Sequence, residues 1–407
     1  MSHITEPTRE TPVAANYDVL VCGAGPAGVC AAIAAARAGA KTGLVELHGS
    51  LGGIWTAGLL AYFLDFNNKP GIMAELIAEL ENRGARAFDS KGKGTCAFDV
   101  EEVKILLEEL CQEAGIDIRL HTRVVGTQVT DGRLTHAIVE DKSGRRALAA
   151  KTFIDCTGDG DLAALAGCGF DFGHPETGVT QPFSLIMLVA GIDRASVREF
   201  YREGDEPWSG AKERLRQAMA AGGCDPSYGR PSLFPVRDDL FILMSNHEYG
   251  FKGICAEDLT AATLKARREL HAQINGLRSL GGVWQNIRIV ATPEQIGVRE
   301  GRRIHGRHTV TVDEMVAGVR HEDAVCRVHF GIDVHSTNPG ATKGIEAPKH
   351  RTQPYDIPMR ALIARDVEGL LMAGRCISGD FLAHSSYRVT GDAAAMGEAA
   401  GRYAANP

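Results

Sequence analysis

Apolar positions along the chain follow three rhythms. Short continuous runs, "DVLVC" (Asp18–Cys22), "TFIDC" (Thr152–Cys156) and "VEGLLMAG" (Val367–Gly374), have strand length and read as buried strands. Helical spacing governs "FDVEEVKILLEELCQEAG", where Asp99 is the expected N-cap with Glu102 three residues on, and also "AEDLTAATLKARRELHAQINGL". A period of two runs through "IDIRLHTRVVGTQVTDGRLTHAIVEDKSG", with Asp131-Gly132 at its centre, and predicts a hairpin-rich sheet. From about Gly173 to Gly344 the rhythm gives way to Pro/Gly-punctuated segments between helices, the pattern expected of an inserted substrate or cap domain.

Glycines then mark where the strands end. In "YDVLVCGAGPAGVCAAIAAARAGAKTGLVELHGSLGG" an apolar strand meets Gly23, Gly25 and Gly28 in GxGxxG spacing, followed by an Ala-rich helix to about Ala38 and a second strand ending at Glu46. Gly23 permits the tight turn, Gly25 lets backbone approach a pyrophosphate, and Gly28 lets helix and strand touch. Ala27 lies in the first helical turn, whose free N–H groups and positive dipole end face the phosphates. Glu46 is placed to bind ribose hydroxyls. A second pair, Gly52 and Gly53, follows directly. Thr157, Gly158 and Asp159 form another turn at a strand end, and Gly374 with Gly379 and Asp380 a third. Turns spread over the whole chain suit one elongated dinucleotide better than a compact NAD site.

Composition narrows the partners. Of 407 residues, 44% are apolar and 23% charged, which suits two cores, and the formal net charge of −7 carries no basic block. Nucleic acid and anionic membranes are therefore not expected, and small molecules are. No apolar run reaches the length of a membrane span, and "MSHITEPTRETPVAAN" reads as a disordered leader of a cytoplasmic protein. The ten cysteines include no CxxC pair, which argues against a disulfide reductase, and no His/Cys/carboxylate spacing predicts a metal.

The motifs GAGPAG, LGGIWTAG, FIDCTGDGDLAALAG, QIGVREGRRIHGRH, YDIPMRALIARDVEGLLMAGRCIS and HSSYRVTGDAAAMGEAAG span most of the chain. In that order they resemble the bacterial FAD-dependent oxidoreductases, a family of the glutathione-reductase-like and fumarate-reductase-like flavoproteins. The resemblance implies an α/β fold: a Rossmann-like FAD-binding domain in a three-layer β-β-α arrangement plus an inserted α+β substrate/cap domain. The expected division is a leader over 1–16, the FAD-binding domain over 17–172 and 355–407, and the cap over 173–354. It also implies FAD as cofactor and contact of the backbone near Val124 with the adenine. His48, four residues before Gly52, is a shorter-spaced match to a histidine that bonds flavin covalently in fumarate-reductase-like proteins.

The C-terminal stretch "GRCISGDFLAHSSYRVTGDAAAMGEAAG" carries the candidate chemistry. Thr390 or Asp392 is the expected cap of a helix whose Gly391 and other small residues would let backbone lie against a flat ring and stabilise a reduced flavin. His384 is expected to accept a proton as hydride passes to flavin N5, Arg388 to hold a carboxylate or oxyanion, and Ser386 to orient either. The reaction expected is hydride exchange with an alcohol- or amine-bearing carbon. The alternatives are reduction of an activated C=C bond and a non-catalytic, redox-responsive flavoprotein. With no second GxGxxG for NADPH, oxygen, a quinone or a carrier protein would complete the cycle. Elsewhere, Asn246, His247, Asp333 and His335 fall at strand-to-loop edges, where structural roles are expected of the histidines. Arg299, Arg302, Arg303 and Arg307 read as a solvated basic helix face.

Overall fold

The structure, a computed structural model, describes residues 3–89, 95–202, 207–347 and 349–406. Its largest sheet runs in the order Asp117–Arg119, Thr42–Val45, Val13–Cys22, Gly144–Asp155, Arg133–Asp141, Arg123–Thr130. The first four strands are parallel. Gly144–Asp155 serves two layers, because its first half pairs antiparallel with Arg133–Asp141 while Phe153–Asp155 pairs parallel with Leu370–Met372. A strand donated from residue 370 onward thus completes a sheet begun at residue 13, as a discontinuous α/β fold requires.

The first strand starts earlier than Asp18. Val13, Ala15 and Tyr17 alternate along it and pair with Ala147, Leu148 and Ala150, so residues 13–16 are ordered sheet within the expected leader, of which residues 1 and 2 lie outside the described residues. The hairpin turn is as expected: Asp131 (φ 49°) and Gly132 (φ 78°) both take left-handed backbone between paired strands. Asp99 caps its helix by accepting the Glu101 amide.

Helices Pro26–Arg37 and Thr390–Ala405 pack together on the parallel strands, and this explains the small residues of the last helix. A Cβ on Gly397 would lie 2.0 Å from the Ala27 carbonyl oxygen, and one on Gly401 would lie 2.1 Å from that of Ala31. These glycines allow one backbone to rest on another. Their neighbour is the first helix, where a ring-facing role had been expected.

A second apolar cluster runs from Phe183 to Ile296. It joins a four-stranded antiparallel sheet, ordered Ser232–Pro235, Leu240–Met244, Met187–Ala190, Arg288–Ala291, to helices Trp208–Ala221 and Ala256–Ser279. The stretch from Gln295 to His308 is not a basic helix; it is extended or irregular, and Arg303 is buried against Glu300 at 2.7 Å. Four arginines in fourteen residues suggested a solvated face, whereas buried carboxylates and carbonyls take up several of them.

Candidate active site

The glycine turns interlock. Gly23 (φ 93°) would place a Cβ 2.4 Å from the Cys156 carbonyl oxygen, and a Cβ on Gly28 would lie 1.8 Å from that of Gly23, so neither position accepts a side chain. Gly25 differs, with no atom within 4 Å of where its Cβ would be, and the turn is open on that side. Gly52 (φ 101°) donates its amide to the Ala24 carbonyl at 2.7 Å, and a Cβ on Gly53 would meet the Gly25 Cα at 2.8 Å. The second glycine pair is therefore docked on the first.

Glu46 is buried and accepts the amides of Ala24 (2.7 Å) and His48 (2.8 Å), one on each oxygen. Its carbonyl accepts the Thr122 amide, which brings the strand containing Val124 alongside. His48 points to Glu294, Nδ1 to carboxylate 2.5 Å.

At the next turn the organising residue is one the sequence analysis passed over. Fully buried Asp155 accepts the Thr157 amide and hydroxyl (3.0 and 2.7 Å) and the Ala163 amide (2.8 Å). Burial pushes it up to about 6 in spite of those bonds. An acid placed just before a glycine turn was the available signal. Asp159 pairs with Arg375 at 2.7 Å, although burial raises its pKa against that guanidinium. Gly158 (φ 81°) faces the same guanidinium, and Gly374 (φ 87°) would bring a Cβ to 3.1 Å from the Ala27 Cβ. The turns at 23–28, 157–159 and 374 thus meet at the carboxyl ends of neighbouring parallel strands.

Asp380 caps the short helix Phe381–Tyr387 through the Ala383 amide (2.7 Å), and its other oxygen accepts the Val312 amide (2.6 Å). A Cβ on Gly379 would strike the Tyr387 hydroxyl at 2.4 Å. His384, in this helix, is fully buried, and neither ring nitrogen makes a hydrogen bond. Burial, then the guanidiniums of Arg303, Arg388 and Arg375, hold it well below the usual histidine range, with the Arg375 carbonyl opposing. It is a neutral imidazole. Ser386 is fully engaged, accepting from the Tyr355 hydroxyl at 2.9 Å and donating to the Phe330 carbonyl.

The last helix is not capped by Thr390 or Asp392. Val389 is its boundary residue, and Asp392 turns inward to Lys69, which sits 2.9 Å from both Asp392 and Asp65. Gly391 is needed where the helix start rests on the Leu64 and Asp65 carbonyls, 2.5 Å from a would-be Cβ.

Residues scattered over the middle of the chain converge on Arg388. Its Nη2 donates to the Asp333 carbonyl (2.9 Å) and lies 3.4 Å from both the Asp333 carboxylate and Gln181 Oε1. Asp333 is 3.3 Å from His335 Nε2, His335 Nδ1 is 2.9 Å from His247 Nε2, and His247 Nδ1 is 3.1 Å from the Tyr249 hydroxyl. One proton assignment gives every nitrogen a partner: Tyr249 donates to His247, His247 to His335, and His335 to Asp333. Burial, with Arg299 next, lowers His335 to about 3, and His247 is lowered further, so both rings are neutral. Tyr228 lies on both rings at 4.3 and 5.8 Å. Burial and then Arg388 pull Arg299 down to about 10, while the hydrogen bond from His335, and after it Arg388 and Arg299, hold Asp333 at about 2 against its burial. Two guanidiniums with Asp333, beside a Glu300 already paired with Arg303, leave this cluster net positive. Tyr228, Tyr249 and Gln181 were not singled out by sequence, because nothing in their local pattern marks them.

Fold and turns together define a flavoprotein. Residues 18–406 match the family described as FAD dependent oxidoreductase, and the chain belongs to that family. No curated protein matches it. Among solved structures it is similar to a geranylgeranyl bacteriochlorophyll reductase-like protein from Thermoplasma acidophilum, at 14% identity and TM-score 0.49, covering 96% of this chain and 77% of that one. A flavin-dependent brominase triple mutant shows 13% identity and TM-score 0.48, covering 96% and 81%. A p-nitrophenol 4-monooxygenase from Pseudomonas putida shows 13% and 0.43, covering 72% and 70%. Likeness at this level says nothing of substrate.

The residues present fit FAD. Gly25 leaves the first turn open, and among the described residues the His384 ring nitrogens, Thr390 Oγ1, Gln181 Nε2 and Arg388 Nε are buried polar atoms with no hydrogen-bond partner in the protein. No helix of the described residues is long and apolar enough to cross a membrane.

Proposed function

We propose that this FAD-dependent oxidoreductase exchanges two electrons with a small carboxylate-bearing metabolite at an alcohol- or amine-bearing carbon. The observation that carries this reading is the net positive cluster at Arg299 and Arg388, two guanidiniums that burial destabilises, where Asp333 is the carboxylate not already matched and the nearby Glu300 is paired with Arg303. A substrate carboxylate would restore neutrality and take a two-point contact from Arg388.

Gly23, Gly25, Ala27, Gly28, Glu46, Gly52, Gly53, Val124, Thr157, Gly158, Asp159, Gly374, Gly379, Asp380 and Gly391 are proposed to form or support the cofactor seat, Asp380 through its cap on the His384 helix. Bound there, FAD supplies a ring able to take up or return two electrons. His384 holds a free lone pair and is assigned the substrate proton, its basicity recovering as anionic charge enters among Arg303, Arg375 and Arg388. Ser386 acts by position, tying the His384 helix to Tyr355. The segment 173–354 supplies the substrate side, and oxygen, a quinone or a carrier protein the other half of the cycle.

The low basicity of His384 favours a second reading. Once protonated it is a strong acid, suited to protonating a carbon in the reduction of an activated C=C bond.

Anaerobic mixing separates these readings. Loss of flavin colour with 2-hydroxy or 2-amino carboxylates supports the first, and recovery of colour by pre-reduced protein with enoates supports the second. In either direction Arg388→Gln should raise the half-saturating substrate concentration by about 30-fold or more, the equivalent of about 2 kcal/mol. Neutral alcohols reacting as well as their carboxylate analogues, with no effect of Arg388→Gln, would refute the carboxylate site.

A further inference from the structure

We propose that His308, Glu314 and His321 bind one divalent transition-metal ion of the zinc type, outside the flavin and substrate sites. His308 Nε2 lies 3.0 Å and His321 Nε2 3.6 Å from the same oxygen of Glu314, Oε1, and all three ligand atoms fall within 4.8 Å of one another. Ligands at about 2.0–2.2 Å around a tetrahedral zinc stand about 3.3 Å apart, between the two distances observed here.

A plain His–Glu ion pair explains less. Both Nε2 atoms are buried, yet neither makes a hydrogen bond, and at 3.6 Å that of His321 is out of reach of the carboxylate. The two imidazoles meet edge to face, centroids 5.2 Å apart, and the Nε2 of each lies near the same Glu314 oxygen.

The chain fixes Glu314 for this task. Thr311 and Glu314 form a capping box at the start of helix Val312–Ala317, in which Glu314 Oε2 accepts the Thr311 amide at 2.9 Å. Oε1 is thereby turned to the histidines. Gly318, left-handed at φ 64°, ends the helix and returns the chain so that His321 comes back over it, with its amide on Asp356. Two imidazoles and one carboxylate select zinc, cobalt or nickel over magnesium or calcium, and leave one coordination position for water.

The site has a mechanical link to the His384 helix. Thr309 Oγ1 lies 3.0 Å from Ser378 Oγ, Val310 bridges to Gly379, and the Val312 amide is held by Asp380, the cap of that helix. The metal therefore braces the loop on which the cap rests, and has a structural role.

The test uses untagged, FAD-loaded protein stripped with chelator, then titrated with zinc by calorimetry and assayed for metal content after gel filtration. One equivalent of zinc per chain is expected, with magnesium not competing. His308→Gln with His321→Gln should lose that equivalent, its affinity falling by about 100-fold or more, while the flavin colour is retained. If the double variant does not fold, His321→Gln alone must weaken zinc binding, and cobalt bound to the unmodified protein must give the visible spectrum of a tetrahedral site. Absence of the equivalent, its survival in the variants, or equal binding of magnesium overturns the assignment.

Discussion

Gly397→Ala probes the contact that seats the first glycine turn. The added methyl would lie 2.0 Å from the carbonyl oxygen of Ala27, 2.7 Å from its carbonyl carbon and 2.8 Å from its Cα, all backbone atoms that cannot rotate away. An ordinary carbon–oxygen contact is longer by more than an ångström, so helices Pro26–Arg37 and Thr390–Ala405 must part. Two opposing effects decide the sign. Alanine is favoured over glycine inside a helix by about 1 kcal/mol, whereas overpacking of this kind costs about 3 kcal/mol when no side chain can yield. The net loss of about 2 kcal/mol corresponds, for a chain of this length, to a fall in thermal midpoint of about 2 °C by scanning calorimetry. The displaced helix carries Ala27 and Gly28, so FAD should also leave more readily on dilution. Gly397→Ala with an unchanged or raised midpoint and undiminished FAD retention would refute the reasoning.

Other outcomes follow from the same geometry. His335, lowered to about 3 in the folded protein against about 6.5 unfolded, leaves the unfolded chain binding the extra proton below pH 6.5. Its contribution is complete above that pH and is lost as pH falls toward 3, by about 1.4 kcal/mol per unit. Comparing thermal midpoints of His335→Asn and the unmodified protein from neutral pH downward should therefore show the gap between them narrowing, and parallel curves would contradict the burial of a neutral ring. Asp155→Asn replaces one acceptor oxygen with an N–H2 that must face the donors of Thr157 or Ala163, costing about 1–3 kcal/mol and weakening FAD retention; a variant as stable and as yellow as the parent would remove Asp155 as organiser of that turn. Gly28→Ala, with its Cβ 1.8 Å from the Gly23 carbonyl oxygen, should yield protein without bound FAD, and a yellow variant would show that the turn is looser than described.

The cofactor half of the molecule could be read from sequence because its physics is local. A strand end, a glycine that must be left-handed and a helix start lie within a few residues of one another at Gly23–Gly28 and at Thr157–Gly158, so spacing alone reveals them. The opposite holds for the cluster around Arg388. Gln181, Tyr228, His247, Arg299, Asp333, His335 and Arg388 come from six separate stretches, and of these only Arg388 lies in a stretch whose composition points to chemistry. His247 and His335 looked structural taken singly; only their 2.9 Å contact, with Tyr228 against both rings, makes them a unit. Arg299 looked solvated because four arginines were read as one helix face, although Gly297, Gly301 and Gly306 in the same stretch argue against a helix. Gly397 and Gly401 resist reading for a different reason: glycine and alanine suit close approach to a ring and to another helix equally, and only the position of Ala27 and Ala31 shows that these two face the first helix. His308, Glu314 and His321 escaped notice since the loop and capping box that join them hide any regular ligand spacing.

The central claim is that the cluster at Arg299 and Arg388 binds a carboxylate beside the flavin. Its most direct measurement is titration of the oxidised holoprotein with a carboxylate that cannot be oxidised, following the visible flavin spectrum, alongside the matching neutral amide. A saturable spectral change with the carboxylate, absent with the amide and greatly weakened in Arg388→Gln, is predicted. Equal responses to acid and amide, or an Arg388→Gln titration that overlays the parent, would contradict it.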